Sequence, residues 1–111
     1  ERWRVAVPYD AKADPEVVTA SMTIAGDYLF IITSRTAEVY IYNKATGAFA
    51  TKLKPGPEVA NESGWIDIPY GVRAFQRANG DYLVFAEEDW KAKVIMYQLP
   101  KKIPVQKTAS N

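Results

Sequence analysis

The chain of 111 residues contains neither cysteine nor histidine. Without cysteine it has no disulfide framework, no thiolate nucleophile and no thiolate-based metal site. Without histidine it lacks the commonest general base and transition-metal ligand, which excludes Ser–His–Asp and Cys–His catalysis. The remaining chemistry belongs to carboxylates, lysines, tyrosines and metals bound through oxygen. The sequence therefore predicts no catalytic residue, no metal site and no cofactor, and an enzymatic role is open but not favoured.

Long apolar runs and a strong charge of either sign are also lacking. Fourteen basic and 13 acidic residues leave a net charge of +1, so we expect no nucleic-acid partner. No apolar run approaches the roughly 20 residues of a membrane-spanning helix. The first residue is Glu1 rather than methionine, which leaves open a removed leader, and with it a secreted or periplasmic location, or excision from a longer protein.

Short apolar segments separated by polar turns predict an all-β chain. Residues 1–7 alternate like a half-exposed strand, and residues 49–53 like an outer strand whose Lys52 and Lys54 discourage edge-to-edge pairing. Residues 28–33, 39–42 and 81–86 are apolar on both faces, which predicts strands covered on both sides. Further strands are predicted at residues 70–76 and 93–99.

Two segments admit a helix as the alternative. Asp14 and Pro15 suit a helix start, but the β-branched residues that follow favour a strand over residues 17–24. The spacings Glu87–Lys91 and Asp89–Lys93 match helical ion pairs. The equivalent segment of the first repeat copy, residues 34–39, is a poor helix former. We therefore predict a connection rather than a helix at residues 87–92.

An internal repeat organises the chain. Residues 26–42, GDYLFIITSRTAEVYIY, return as residues 80–97, GDYLVFAEEDWKAKVIMY, at an offset of 54 residues between the glycines and 55 between Tyr42 and Tyr97. Together with the flanking strands, the repeat divides the domain of residues 1–111 into unit one, about 15–54, and unit two, about 69–99, followed by a polar tail, 100–111.

The segment VYIYNKATGAFATKL, residues 39–53, resembles blade repeats of quinoprotein-like and NHL-like β-propellers. In those repeats an apolar strand runs into a polar residue, a Thr-Gly turn and an outer strand. The resemblance implies two four-stranded antiparallel meander units arranged as consecutive propeller blades. Blades stack face to face, so two blades alone leave apolar faces that call for other blades or protein chains as partners.

The resemblance also implies where a site would lie. The loops of residues 55–69 and 87–92 would converge on one face, with acidic groups and two indoles that suit a protein loop, a cation or a small ligand such as a sugar. In the alternative, which the residue types favour, the acidic run is a solvated turn and the tryptophans cap the core. A calcium site at Asp67 lacks EF-hand spacing. The candidate ligand or partner residues are Trp65, Asp67, Arg73, Glu87, Glu88, Asp89 and Trp90.

Three functional hypotheses follow. The first is a non-catalytic binding or structural β-repeat module, part of a larger propeller or assembly. The second is a fragment of a propeller enzyme, quinoprotein-like or carbohydrate-acting, whose catalytic residues lie outside this chain. The third is a small stand-alone sandwich in which the two sheets pack on one another.

Overall fold

The computed structural model describes residues 3–4, 19–33, 38–54, 69–88 and 93–106, and these ranges contain strands and turns but no helix. The predicted all-β class is therefore confirmed. The strands are β1 (Thr19–Ala25), β2 (Tyr28–Thr33), β3 (Val39–Asn43), β4 (Phe49–Leu53), β5 (Pro69–Gln76), β6 (Tyr82–Glu88) and β7 (Lys93–Leu99).

The strands form two antiparallel sheets. Sheet A has the order β1-β2-β3-β4 and sheet B the order β5-β6-β7, so each sheet is a meander of sequence neighbours. Three turn glycines, Gly26, Gly47 and Gly80, have φ angles of 53°, 78° and 97°, a region in which a side chain is strained. Asn43 shapes the β3–β4 turn because its side-chain oxygen accepts from Ala45 N and Thr46 N, at 2.9 and 3.0 Å.

Both predicted helical alternatives are wrong where the structure describes them. Thr19–Ala25 is a strand paired with β2. Glu87 and Glu88 end β6 and pair with Val94 and Lys93 at the start of β7, so the segment folds back on itself. The predicted strand at residues 1–7 lies largely outside the described residues.

The two repeat copies form equivalent hairpins, β2–β3 and β6–β7, but in a register that the sequence alignment does not give. Leu29 pairs with Tyr42, whereas its counterpart Leu83 pairs with Gln98. The structural offset on the second strand is thus 56 residues, not 55. Because side chains alternate between faces, this one-residue difference places Tyr42 and Tyr97 on opposite faces of their sheets.

One face of each sheet contributes to a shared core. Sheet A supplies Phe30, Ile32 and Ile41, and sheet B supplies Val84 and Tyr82, all fully buried. The Tyr82 ring packs against the rings of Tyr28, with 5.4 Å between centroids, and Phe30, at 6.0 Å. Its hydroxyl accepts a hydrogen bond from Asp27 N at 3.2 Å. Tyr82 therefore joins sheet B to the β1–β2 turn of sheet A.

The opposite face of sheet A is buried as well. Leu29, Ile31, Tyr40 and Tyr42 form a second cluster, against which Trp3 and Phe49 pack. The indole of Trp3 donates to Lys44 O at 2.8 Å. Its ring packs so closely on Gly47 that a Cβ there would lie only 2.7 Å from Trp3 Cδ2. Strands β2 and β3 are thus covered on both sides, as their apolar sequences predict.

Strand β6 departs from that prediction. Its inner residues Tyr82, Val84 and Ala86 are at most 1% exposed, whereas Leu83 and Phe85 on the outer face are only partly buried and Glu87 is exposed. Sheet B therefore has one buried face and one open face.

The segment after β7 does not extend sheet B but crosses to sheet A. Ile103 is 2% exposed in the shared core, and its N–H donates to the Tyr28 hydroxyl at 3.1 Å. Gln106 N donates to Ala50 O at 2.7 Å, and Gln106 Oε1 accepts from Lys52 N at 3.2 Å. The predicted polar tail is therefore partly a packed element along β4.

Strand β4 lies at the edge of sheet A, as predicted, but Lys52 is bound in an ion pair rather than exposed to solvent. Its ammonium lies 2.9 Å from a Glu38 carboxylate oxygen, and the two side chains are only 7% and 11% exposed. The ion pair keeps Lys52 against the outer face of sheet A, and Gln106 occupies the β4 edge instead.

Two tyrosine-to-phenylalanine substitutions should have opposite effects. Tyr82→Phe removes the hydrogen bond to Asp27 N, so we expect the free energy of unfolding to fall by about 1 kcal/mol. Among the described residues, the buried hydroxyl of Tyr42 has no hydrogen-bond partner. Tyr42→Phe removes that desolvated group, and we expect stability to stay the same or rise by up to about 1 kcal/mol. Urea unfolding of both variants checks the signs, and a loss of stability in Tyr42→Phe would contradict the assignment of its hydroxyl.

Candidate functional site

A cleft lies where the two sheets come closest. Strand β1 of sheet A runs beside β5 of sheet B, without being hydrogen-bonded to it as a sheet neighbour. The starts of the two strands are close, because a Cβ built on Gly71 of β5 would lie 3.6 Å from Ser21 Oγ of β1. Their ends are close as well, because a Cβ built on Gly26, just after β1, would lie 2.8 Å from Gln76 Oε1 at the end of β5. The two strands therefore run in the same direction.

The cleft between these strands has a volume of about 230 Å³. Hydroxyl groups come from β1, and a guanidinium and a carboxylate come from sheet B. Gly71 helps to keep the space open because it has no side chain. The lining residues are Ser21, Met22, Thr23, Gly71, Val72, Arg73 and Glu87.

Arg73 and Glu87 occupy diagonal positions on neighbouring strands. Arg73 pairs with Phe85 across β5 and β6, and Glu87 pairs with Gly71, so both side chains belong to the outer face of sheet B. Both residues are exposed. Within the ranges that the structure covers, no ion pair joins them. Each charge is therefore available to an external group of opposite sign.

The outer face of sheet B adjoins this cleft and is mainly apolar. Its cross-strand rows are Phe75–Leu83–Gln98, Arg73–Phe85–Met96 and Gly71–Glu87–Val94. Phe75, Met96 and Val94 are 56%, 57% and 63% exposed. The rings of Phe75 and Phe85 meet edge to face with centroids 6.0 Å apart. Exposed apolar side chains grouped in this way mark an interaction surface.

Exposed apolar residues also lie on the far side of the cleft. Met22 and Ile24 of β1 are 62% and 60% exposed, and they share the outer face of sheet A through their pairing with Ile31 and Leu29. The cleft thus separates two apolar surfaces, of which the one on sheet B is the broader.

A buried polar cluster occupies the other side of the molecule, on the outer face of sheet A. Besides the Glu38–Lys52 ion pair, it contains Tyr40, whose ring lies 5.8 Å from Lys52 Nζ. Burial, then the nearby Glu38 carboxylate, raises the pKa of Tyr40 to about 12. Burial also raises the pKa of Tyr42. Both phenols hold their protons at neutral pH, so the cluster is a packing element rather than an acid–base centre.

The structure brings together two of the residues predicted from sequence. Arg73 and Glu87 meet at the cleft, and Glu88 is the last residue of β6. Trp65, Asp67, Asp89 and Trp90 lie outside the described residues. Ser21 and Thr23, and the apolar face of sheet B, were not anticipated. The uninterrupted apolar runs Tyr82–Ala86 in β6 and Val94–Tyr97 in β7 hid the alternation that would have separated the exposed Met96 from the half-buried Ile95.

The described ranges contain neither a candidate metal site nor a candidate membrane span. No group of three or more acidic side chains stands close enough to hold a metal ion. No helix in these ranges is long and apolar enough to cross a membrane.

Comparison with known proteins gave no matching family model, no matching curated protein and no matching solved structure.

The raised pKa of Tyr40 predicts how stability changes in alkali. In the unfolded chain the phenol ionises near its ordinary value of 10.0, whereas in the folded chain it holds its proton to about 12. The stabilising contribution is present below pH 10.0 and is lost as pH rises towards about 12, because the unfolded state then binds fewer protons than the native state.

Melting temperatures measured across this pH window test the assignment. Tyr40→Phe should show a shallower decline than the unsubstituted chain, because it removes one of the groups that ionise. Parallel declines for the two proteins would contradict a role for Tyr40.

Proposed function

We propose that this chain is a non-catalytic β-repeat module that works by protein association through the outer face of sheet B. The carrying observation is the contrast between the two sheets. Sheet A has apolar clusters buried on both faces, whereas Phe75, Met96 and Val94 on sheet B are each more than half exposed. An aromatic and aliphatic face with one guanidinium and one carboxylate has the composition of a protein-binding surface.

The arrangement of β1 and β5 supports a role within a β assembly. They are the first strands of their sheets, run side by side in the same direction, and lie where the sheets are closest. Inner strands of neighbouring propeller blades are related in this way, and a further β unit would stack on the outer face of sheet B. In this proposal the polar cleft borders the association surface and receives a polar group of the partner.

Catalysis by this chain is not supported by its chemistry. The chain contains no histidine or cysteine, and the high pKa of Tyr40 makes that phenol a poor proton donor at neutral pH. A propeller-enzyme parent remains the alternative, with its reacting groups outside this chain.

The double substitution Phe75→Thr and Met96→Thr tests the association surface. Both residues lie in strands, so threonine keeps the β propensity while removing apolar area. Because the side chains are exposed, we expect the free energy of unfolding to change by less than about 1 kcal/mol. Binding of the apolar dye anilinonaphthalene sulfonate should fall at least about twofold, since the dye reports exposed apolar surface.

Met22→Thr with Ile24→Thr is the matched control, since these β1 residues are equally exposed but lie outside the face. This control should retain most dye binding. Unfolding of the Phe75/Met96 variant would identify the face as core, and unchanged dye fluorescence would remove the basis of the proposal.

A further inference from the structure

We infer that the occupant of the outer face of sheet B is a second copy of this chain, held across a two-fold axis by reciprocal Arg73–Glu87 ion pairs. This inference rests on the proposed function and names its partner. The two copies would meet with their open faces together and their sheet A layers on the outside.

The outer face of sheet A offers less apolar surface than the open face of sheet B. A head-to-tail array would require the open face of one copy to pack on the outer face of sheet A of the next. On that face Leu29, Ile31, Tyr40 and Tyr42 are at most 9% exposed, and its exposed large apolar residues in the described ranges are Met22 and Ile24 at the β1 edge. Two open faces therefore bury more apolar area against each other than a head-to-tail contact would. Contact between identical faces gives an isologous dimer, which closes on itself.

The charges of the face are self-complementary. Within the described rows of the face the formal charges are those of Arg73 and Glu87, at diagonal positions whose Cα atoms are roughly 7–8 Å apart. The Asp81 carboxylate lies at the far edge of the face, 3.5 Å from Gln98 Nε2. A two-fold axis lying in the interface and perpendicular to the line between them places each Arg73 opposite the partner's Glu87. Like charges then do not meet. The crossing of strands that this axis produces falls in the orthogonal class of sheet packing.

The same axis explains the position of the aromatic residues. Phe85 pairs with Arg73 and precedes Glu87 by two positions on the same face, so it lies close to the axis and faces its own copy. Phe85 packs edge to face with Phe75. A central aromatic cluster flanked by two ion pairs has the organisation of a binding hot spot.

The size of the face sets the strength of the dimer. Three strands about 4.8 Å apart and roughly 20 Å long give about 300 Å² per copy in projection, well below the roughly 800 Å² per partner of a standard interface. We therefore expect dissociation constants between about 1 μM and about 1 mM, so the association is reversible.

Sedimentation equilibrium between about 10 μM and about 1 mM tests the pairing through a charge swap. Arg73→Glu and Glu87→Arg place like charges opposite one another, and each should raise the dissociation constant about tenfold. The double variant Arg73→Glu/Glu87→Arg restores opposite charges and should return within about threefold of the unsubstituted chain. Lys102→Glu, at an exposed site away from the face, makes the same change in net charge as Arg73→Glu and should have no effect. Circular dichroism confirms that every variant is folded.

The outcomes separate this inference from the proposed function. A double variant as weak as the single variants, or a Lys102→Glu variant as weak as Arg73→Glu, would overturn the reciprocal pairs. A chain that stays monomeric up to about 1 mM while the Phe75/Met96 substitutions still lower dye binding would overturn the second copy as occupant and leave the association surface intact. Monomeric behaviour together with unchanged dye binding would overturn both.

Discussion

The packing of the Tyr82 ring between the sheets is the contact on which the rest of the arrangement depends. The ring is fully buried against Tyr28 and Phe30, and its hydroxyl reaches the β1–β2 turn at Asp27. A Cβ at Gly26 would collide with that hydroxyl, so the left-handed glycine serves both the turn and the approach of sheet B. Because β5 pairs with β6 through Gln76 and Tyr82, fixing Tyr82 at the β1–β2 turn places β5 beside β1. The cleft lies between these two strands.

The sequence predicted strands and turns well because their signals are local. The repeated Gly-Asp-Tyr gives two equivalent strand starts, and the glycines that precede them, Gly26 and Gly80, both adopt a positive φ. Register was harder because it depends on which face is buried. Tyr42 and Tyr97 align in sequence yet occupy opposite faces, since the apolar runs Val39–Tyr42 and Val94–Tyr97 carry no alternation to fix the pairing. The burial of Lys52 has a related cause, because it depends on an ion pair with Glu38, which lies just before the neighbouring strand β3 and 14 positions earlier in the chain.

The candidate site was only partly foreseeable. Arg73 was predicted in the strand of residues 70–76 and Glu87 in the loop of residues 87–92, and they lie close together because β5 and β6 pair in a register that sets them on a diagonal. The apolar surface around them was not anticipated at residue level. A neighbour was expected on both flanks of each sheet. In the structure β2 and β3 are covered on both sides whereas β6 is covered on one, and this difference depends on long-range packing by residues such as Trp3. Composition alone does not encode that difference.

The return of the chain to β4 has a consequence for biosynthesis. Gln106 bonds to Ala50 and Lys52, across a separation of 54 residues for the latter pair, and Ile103 completes the core between the sheets. A nascent chain emerging from the ribosome can form the hairpins of sheet A early, but it lacks this clasp until residue 106 has left the exit tunnel. During that interval the β4 backbone is open to pairing with other strands, so protection by chaperones matters most at this stage of synthesis.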